Sequence, residues 1–170
     1  MAGPSAGKAA TSQPAATGPD RVRVSAASVE ETLAVGARLG RVAAPGDLIC
    51  LWGELGAGKT QLTKGIALGL GVADTVNSPT FVLMSEYAGR IPLFHVDLYR
   101  LADASDALAG GVVDDRQGRG VTVVEWPDRM LDVLPSARLD IVIDGTGDEV
   151  RSMDVVTVDP RYRRYLEAVQ

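Results

Sequence analysis

Residues Asp47–Thr60 read Asp-Leu-Ile-Cys-Leu-Trp-Gly-Glu-Leu-Gly-Ala-Gly-Lys-Thr, and this stretch decides the fold. Gly53, Gly58, Lys59 and Thr60 fill every fixed position of the phosphate-loop pattern G-x-x-x-x-G-K-[ST]. Glycines let such a loop curl until its backbone N–H groups point inward at phosphate oxygens. The helix that follows adds the positive end of its dipole at the same spot. The expected cradle runs from Gly53 through Glu54, Leu55, Gly56, Ala57 and Gly58 to Gln61. Lys59 would reach the β- and γ-phosphates, and the Thr60 hydroxyl would ligate Mg²⁺. As a loop lysine, Lys59 is expected to be solvated and to add little to the core.

The flanks agree with the loop. Leu48–Trp52 is an apolar run of strand length, and Gln61-Leu62-Thr63-Lys64-Gly65-Ile66 opens a helical pattern. A second Gly-Lys, in Gly3-Pro4-Ser5-Ala6-Gly7-Lys8-Ala9, is one residue short in spacing and has neither the hydroxyl nor the strand. It is not a phosphate loop.

Working outward, residues 1–20 are rich in Ala, Gly, Pro, Ser and Thr and read as a flexible tail, leaving 21–170 as one P-loop ATPase domain. Arg21-Val22-Arg23-Val24 alternates like a short edge strand. Ser28-Val29-Glu30-Glu31 reads as a capping box that opens a helix ending near Val42, with Val29, Leu33 and Ala37, flanked by Val35, Leu39 and Val42, as its broad apolar face. Beyond the loop, Leu62, Ile66 and Leu70 continue a helix that Gly69 or Gly71 stops. Phe81–Tyr87 and Ile91–Leu98 are strand-like with three residues between them, which permits an antiparallel hairpin and forbids a parallel crossover. Ala102–Gly120 offers one or two short helices at most. Val121–Val124 is a buried-type strand, Pro127–Leu134 a short helix, and Ile141–Ile143 and Met153–Val158 are strands around Asp144-Gly145-Thr146-Gly147. Pro160–Val169 reads as a terminal helix. The expected fold is α/β: a three-layer, P-loop NTPase-like arrangement around a mixed sheet.

Composition bounds the function. For a chain of 170 residues, a net charge of −5 argues against a broad nucleic-acid surface and leaves room for a partner protein that holds the nucleic acid. The single cysteine, Cys50, sits inside the apolar run and reads as a small buried hydrophobe. His95 is the only histidine, which disfavours a His-based zinc site. No apolar run approaches the roughly 18 residues of a membrane span, and no signal-peptide block opens the chain, so a cytoplasmic location is expected.

A phosphate loop needs a carboxylate from a neighbouring strand end. Asp97, Glu125 and Asp144 each close a strand-like run. Asp144 precedes glycine and is explained by a hairpin turn. Asp97 and Glu125 have no such explanation, because each puts a carboxylate at the end of an apolar run. Both remain candidates, beside Lys59, for the carboxylate that holds Mg²⁺ directly or through water. The guanine-reading pattern Asn-Lys-x-Asp is absent, since the only asparagine is Asn77, followed by Ser78. ATP is therefore the expected nucleotide.

Four segments in order carry a resemblance: Gly53–Thr60, Ser78-Pro79-Thr80, His95-Val96-Asp97-Leu98-Tyr99-Arg100-Leu101, and Glu125-Trp126-Pro127. Together they resemble the TsaE (YjeE) family over roughly Ser25–Val158. The resemblance implies a small bacterial P-loop ATPase needed for threonylcarbamoyladenosine in tRNA. It implies a TsaB–TsaD complex as protein partner, reset between catalytic cycles, and contact with tRNA only through that complex. Thr60 and Glu125 would hold Mg²⁺, with Asp97 in the same shell or placing the hydrolytic water. Thr80 would belong to a switch-like loop, and Ser28 to Thr32 would touch the nucleotide. The chain would be a monomer by itself, with no membrane association, and slow at hydrolysis until the partner docks. Two alternatives stay open: a small-molecule kinase, with Arg116-Gln117-Gly118-Arg119-Gly120 as a basic lid, and a non-hydrolysing, nucleotide-gated adaptor.

Overall fold

The apolar run before the phosphate loop forms the middle of the sheet. The computed structural model describes residues 20–79, 82–101, 105 and 115–170. In chain order the strands are β1 (Asp20–Ala26), β2 (Leu48–Trp52), β3 (Met84–Tyr87), β4 (Leu93–Asp97), β5 (Val121–Glu125), β6 (Leu139–Asp144) and β7 (Arg151–Thr157). Among the described residues, α-helices include α1 (Val29–Val42), α2 (Lys59–Gly69) and α3 (Arg163–Val169), and Asp115–Arg119, Pro127–Val133 and Pro160–Tyr162 are 3₁₀ turns.

The described strands lie in the order β1-β7-β6-β2-β5-β4-β3. The inner four, β6, β2, β5 and β4, run parallel, while β1, β7 and β3 join antiparallel. Strands covered on both faces must be apolar throughout, and every residue of β5 and all but the first of β2 are buried. Along β2, Ile49 and Leu51 face the helical layer with Leu62, Ile66 and Tyr165, whereas Cys50 and Trp52 face Val96, Leu98 and Met130. Burial pushes the Cys50 thiol up, which suits its role as a small hydrophobe. Asp144 is exposed at the end of β6, where the chain turns toward β7, and its Oδ1 accepts the Gly145 N–H at 3.0 Å.

Helix α1 starts where expected. The Ser28 hydroxyl accepts the Glu31 N–H at 3.1 Å, and the Glu31 carboxylate reaches one residue past the cap to the Ala27 N–H at 2.7 Å. Its buried face keeps Val35 and Leu39 of the expected set but not Val29. Val29 is 52% exposed, and the buried residues are Thr32, Val35, Gly36, Leu39 and Gly40. Glycines make the contact. A Cβ on Gly40 would stand 2.1 Å from the Ile66 carbonyl, and one on Gly36 would stand 2.6 Å from the Leu62 carbonyl. Gly65 and Gly69 of α2 reciprocate, with Cβ positions 2.5 Å from the Leu33 carbonyl and 2.2 Å from the Ala37 carbonyl. The two helices therefore pack backbone against backbone, which fixes the start of α1 beside the phosphate loop.

The last ten residues belong to the core, although the resemblance left them out. Tyr165 is buried and donates its hydroxyl to Asp47, which Arg164 also grips. The Leu48 N–H donates to the Tyr162 hydroxyl at 3.0 Å. The terminal helix thus anchors the entrance to β2.

Three expectations need correction or restriction. Asp20 is the first residue of β1, so the expected tail loses its last position; residues 1–19 lie outside those described. Phe81, Thr80 and most of Ala102–Gly111 also lie outside, and the hairpin strand begins at Met84. Arg116–Gly120 is not a lid over the loop. The Gly46 N–H donates to the Gly120 carbonyl, and Gln117 and Gly118 line a cavity with Leu48 at the amino ends of β2 and β5. The phosphate loop leaves from the opposite, carboxyl ends. Among the described residues, no helix is long and apolar enough to cross a membrane.

Candidate functional site at the carboxyl edge of the sheet

In open α/β sheets, ligands sit outside the carboxyl ends of the parallel strands. Here β2 ends in the glycine loop, β4 in Asp97 and β5 in Glu125. Gly58 takes φ +100° and hands the chain into α2, whose first turn has no side-chain cap. A helix amino terminus with uncapped N–H groups favours an anion. Ala57 is buried, and its N–H closes the loop onto the Glu54 carbonyl at 3.1 Å. Glu54 and Leu55 are exposed at the tip.

Lys59 departs from expectation. It is 5% exposed, and its Nζ donates to the carbonyls of Gly53 at 2.7 Å and Glu54 at 2.8 Å. The same ammonium stands 3.9 Å from the centre of the Trp126 ring. Burial lowers its pKa below the ordinary lysine range, opposed by Glu125 and Asp97. Trp126 holds a left-handed backbone at φ 61°, ψ 50°, the one positive-φ residue other than glycine among the described residues. Such a conformation is uncommon for a bulky residue and clusters at functional sites. The Tyr99 ring packs 4.9 Å from it.

Glu125 is the hub. It is 2% exposed and accepts from Thr60 Oγ1 at 3.1 and 3.2 Å and from Thr63 Oγ1 at 3.2 Å. His95, fully buried, stands with Nε2 at 2.8 Å from Glu125 Oε1, and it is a positioning neighbour. Asp97 pairs in register with Glu125, so residues 95 and 97 both project on the side where Glu125 meets α2. Asp97 Oδ1 accepts the Tyr99 N–H at 3.0 Å. Ser78 Oγ completes the group at 2.9 Å from Thr60 Oγ1.

Two clefts flank the loop. One, of about 530 Å³, is lined by Lys59, Thr60, Ser78, Asp97, Glu125 and Trp126. The other, of about 390 Å³, is lined by Ser28, Thr32, Gln61, Asp148 and Glu149. Gly58, Gln61 and Arg151 border both. The structure therefore brings together Lys59, Thr60, Asp97 and Glu125, and places Ser28 and Thr32 around the corner. Arg151 had no signal in the sequence, because it meets the loop only through the fold. Among the described residues, no three acidic, histidine or cysteine side chains are grouped to hold a metal. Two carboxylates and two hydroxyls, all oxygen, could hold a hard cation that takes its other ligands from phosphate and water.

A mixed sheet with a glycine loop at the end of its central strand, and carboxylates on the adjoining strand ends, defines a P-loop α/β protein. Residues 26–153 match the family model TsaE, the threonylcarbamoyl adenosine biosynthesis protein. The chain belongs to the TsaE family. It is 45% identical over 139 residues to a Bacillus subtilis protein named tRNA threonylcarbamoyladenosine biosynthesis protein TsaE, covering 81% of this chain and 87% of the relative. A protein of the same name from Treponema pallidum is 39% identical, covering 75% and 95%. The crystal structure of Bacillus subtilis YdiB superposes with a TM-score of 0.74 at 37% identity, over 88% of this chain and 93% of that one.

Proposed function

We propose that this chain is a P-loop ATPase that acts in threonylcarbamoyladenosine modification of tRNA and uses ATP binding and hydrolysis to reset a TsaB–TsaD complex. Family membership supports the pathway. The observation that carries the chemistry is the convergence of Thr60, Ser78 and Glu125 within hydrogen-bond distance, beside Lys59 and at the mouth of an uncapped helix.

The residues divide the work. Loop N–H groups and the start of α2 bind the phosphates. Lys59 rests on the Gly53 and Glu54 carbonyls and exchanges them for phosphate oxygens when the triphosphate enters. Thr60 and Glu125 would hold Mg²⁺, which would supply charge stabilisation for phosphoryl transfer. His95 and Thr63 keep the Glu125 carboxylate aimed at that position. Asp97, one strand over, orients the attacking water. Ser28 and Thr32 border the cleft that receives the nucleoside.

Hydrolysis by such a site is slow when in-line placement of water and charge is incomplete, and docking of a partner supplies the remainder. The test is ATP turnover by the purified chain, with and without TsaB–TsaD and modifiable tRNA. Slow turnover alone that rises with the partner complex is expected. Full-speed hydrolysis indifferent to the complex would contradict the proposal.

A further inference from the structure

One side chain joins the β6–β7 turn to the phosphate loop. Arg151, the first residue of β7, donates from Nε to the Ala57 carbonyl at 3.0 Å and from an Nη to the Gly56 carbonyl at 3.4 Å. Its remaining bonds go to the carbonyls of Gly147, at 2.9 Å, and Glu149, in its own turn. All four acceptors are neutral, and among the described residues no carboxylate pairs with it. A guanidinium is always charged and presents its donors as a rigid planar fork. Here the fork is filled by carbonyls with no carboxylate in direct contact among the described residues, and the side chain borders both clefts, one of them together with Asp148 and Glu149.

The peptide geometry gives this arrangement a consequence. A trans, planar peptide points its C=O and N–H in opposite directions. With the Ala57 carbonyl held on the guanidinium, the Gly58 N–H must point away from Arg151. Gly58 is the cap of α2 and lines both clefts. We propose that Arg151 is a positioning residue that pre-organises the phosphate loop: it holds the Gly56 and Ala57 carbonyls outward, so that the amide that follows is already turned toward the incoming polyphosphate. Fixing donors before the ligand arrives removes an ordering cost from binding. This rests on the triphosphate reading above. The 145–149 turn, remote from the loop in sequence, becomes its brace.

The test is calorimetric titration of the full chain and of Arg151→Gln and Arg151→Lys with ATP, ADP and adenosine, alongside the thermal midpoint of each ligand-free protein. Arg151→Gln should weaken ATP and ADP binding about 10- to 100-fold and weaken adenosine binding much less. Arg151→Lys, which keeps the charge and loses the fork, should stay at least about tenfold weaker than the parent chain for both nucleotides. If Arg151→Gln fails to fold, the lysine variant alone carries the test. Full recovery of ATP affinity in Arg151→Lys would overturn the proposal, as would undiminished affinity in Arg151→Gln. A parallel loss for adenosine would make the role purely structural and overturn it too. A parent chain that binds no ATP would instead remove the triphosphate reading itself, and this proposal with it.

Discussion

Replacing Lys59 by alanine separates phosphate binding from folding, and the structure sets the size of each effect. In the ligand-free chain three contributions oppose one another. Losing the donor to the Gly53 and Glu54 carbonyls costs about 1 kcal/mol, since Glu54 is exposed and water can take the vacated acceptor. Losing the ammonium from the Trp126 face costs about 0.5–2 kcal/mol. Against these, the charge no longer has to be desolvated, and burial is the largest influence on this group. The net change should stay within about 2 kcal/mol, which for a domain of this size is a fall of no more than about 8 °C. The ligand-linked effect points one way only. ATP at a hundredfold excess over its Kd stabilises the parent chain by about 2.7 kcal/mol, or roughly 5–10 °C, and the variant should lose most of that gain. Differential scanning fluorimetry with and without Mg-ATP reads both quantities. An equal ATP-induced shift in the two proteins would refute the phosphate role of Lys59, whatever its effect on the ligand-free midpoint.

Glu125→Gln keeps the shape of the hub and lets the amide oxygen remain on His95 and Thr63, so its unfolding free energy in urea should change by no more than about 1.5 kcal/mol. Its hydrolysis should lose the stimulation by Mg²⁺, and a variant with intact Mg²⁺ stimulation would exclude Glu125 as a ligand. Gly40→Ala should destabilise the chain by about 1–3 kcal/mol through overpacking against the Ile66 carbonyl. In an exposed helix the same change gains up to about 1 kcal/mol, so a raised thermal midpoint would show that α1 and α2 do not meet as described. Because burial lowers the Lys59 pKa, the folded chain bears the cost of the charged form at neutral pH, and that cost is relieved as pH rises through the folded value toward the ordinary 10.5. ATP affinity should therefore decline on the alkaline side at a pH below that of an ordinary lysine; affinity constant up to about pH 10.5 would contradict this.

Local chemistry was legible in the sequence, and tertiary encounters were not. The strand Leu48–Trp52, the cap at Ser28 and the antiparallel hairpin each follow from residues a few positions apart; the first two stand where the pattern puts them, and the hairpin forms with shorter strands, Met84–Tyr87 and Leu93–Asp97. Asp97 and Glu125 could be singled out because a carboxylate closing an apolar run calls for a partner. On α1 the pattern names Val35 and Leu39, which are buried, but glycine carries no hydropathy signal, so the contact made by Gly36 and Gly40 leaves no trace in it. Lys59 looked solvated because nothing nearby in sequence announces that Trp126 will lie beneath it. Arg151 and the Tyr165–Asp47 bond join residues far apart in the chain, and no periodicity reports such a meeting.

The most direct test is a crystal of the chain grown with Mg²⁺ and a non-hydrolysable ATP analogue. The expected density is a triphosphate along Gly53–Thr60, Lys59 Nζ moved from the Gly53 and Glu54 carbonyls onto phosphate, and a cation touching Thr60 and Glu125. A bare loop with Lys59 still on those two carbonyls, at saturating analogue, would contradict the account.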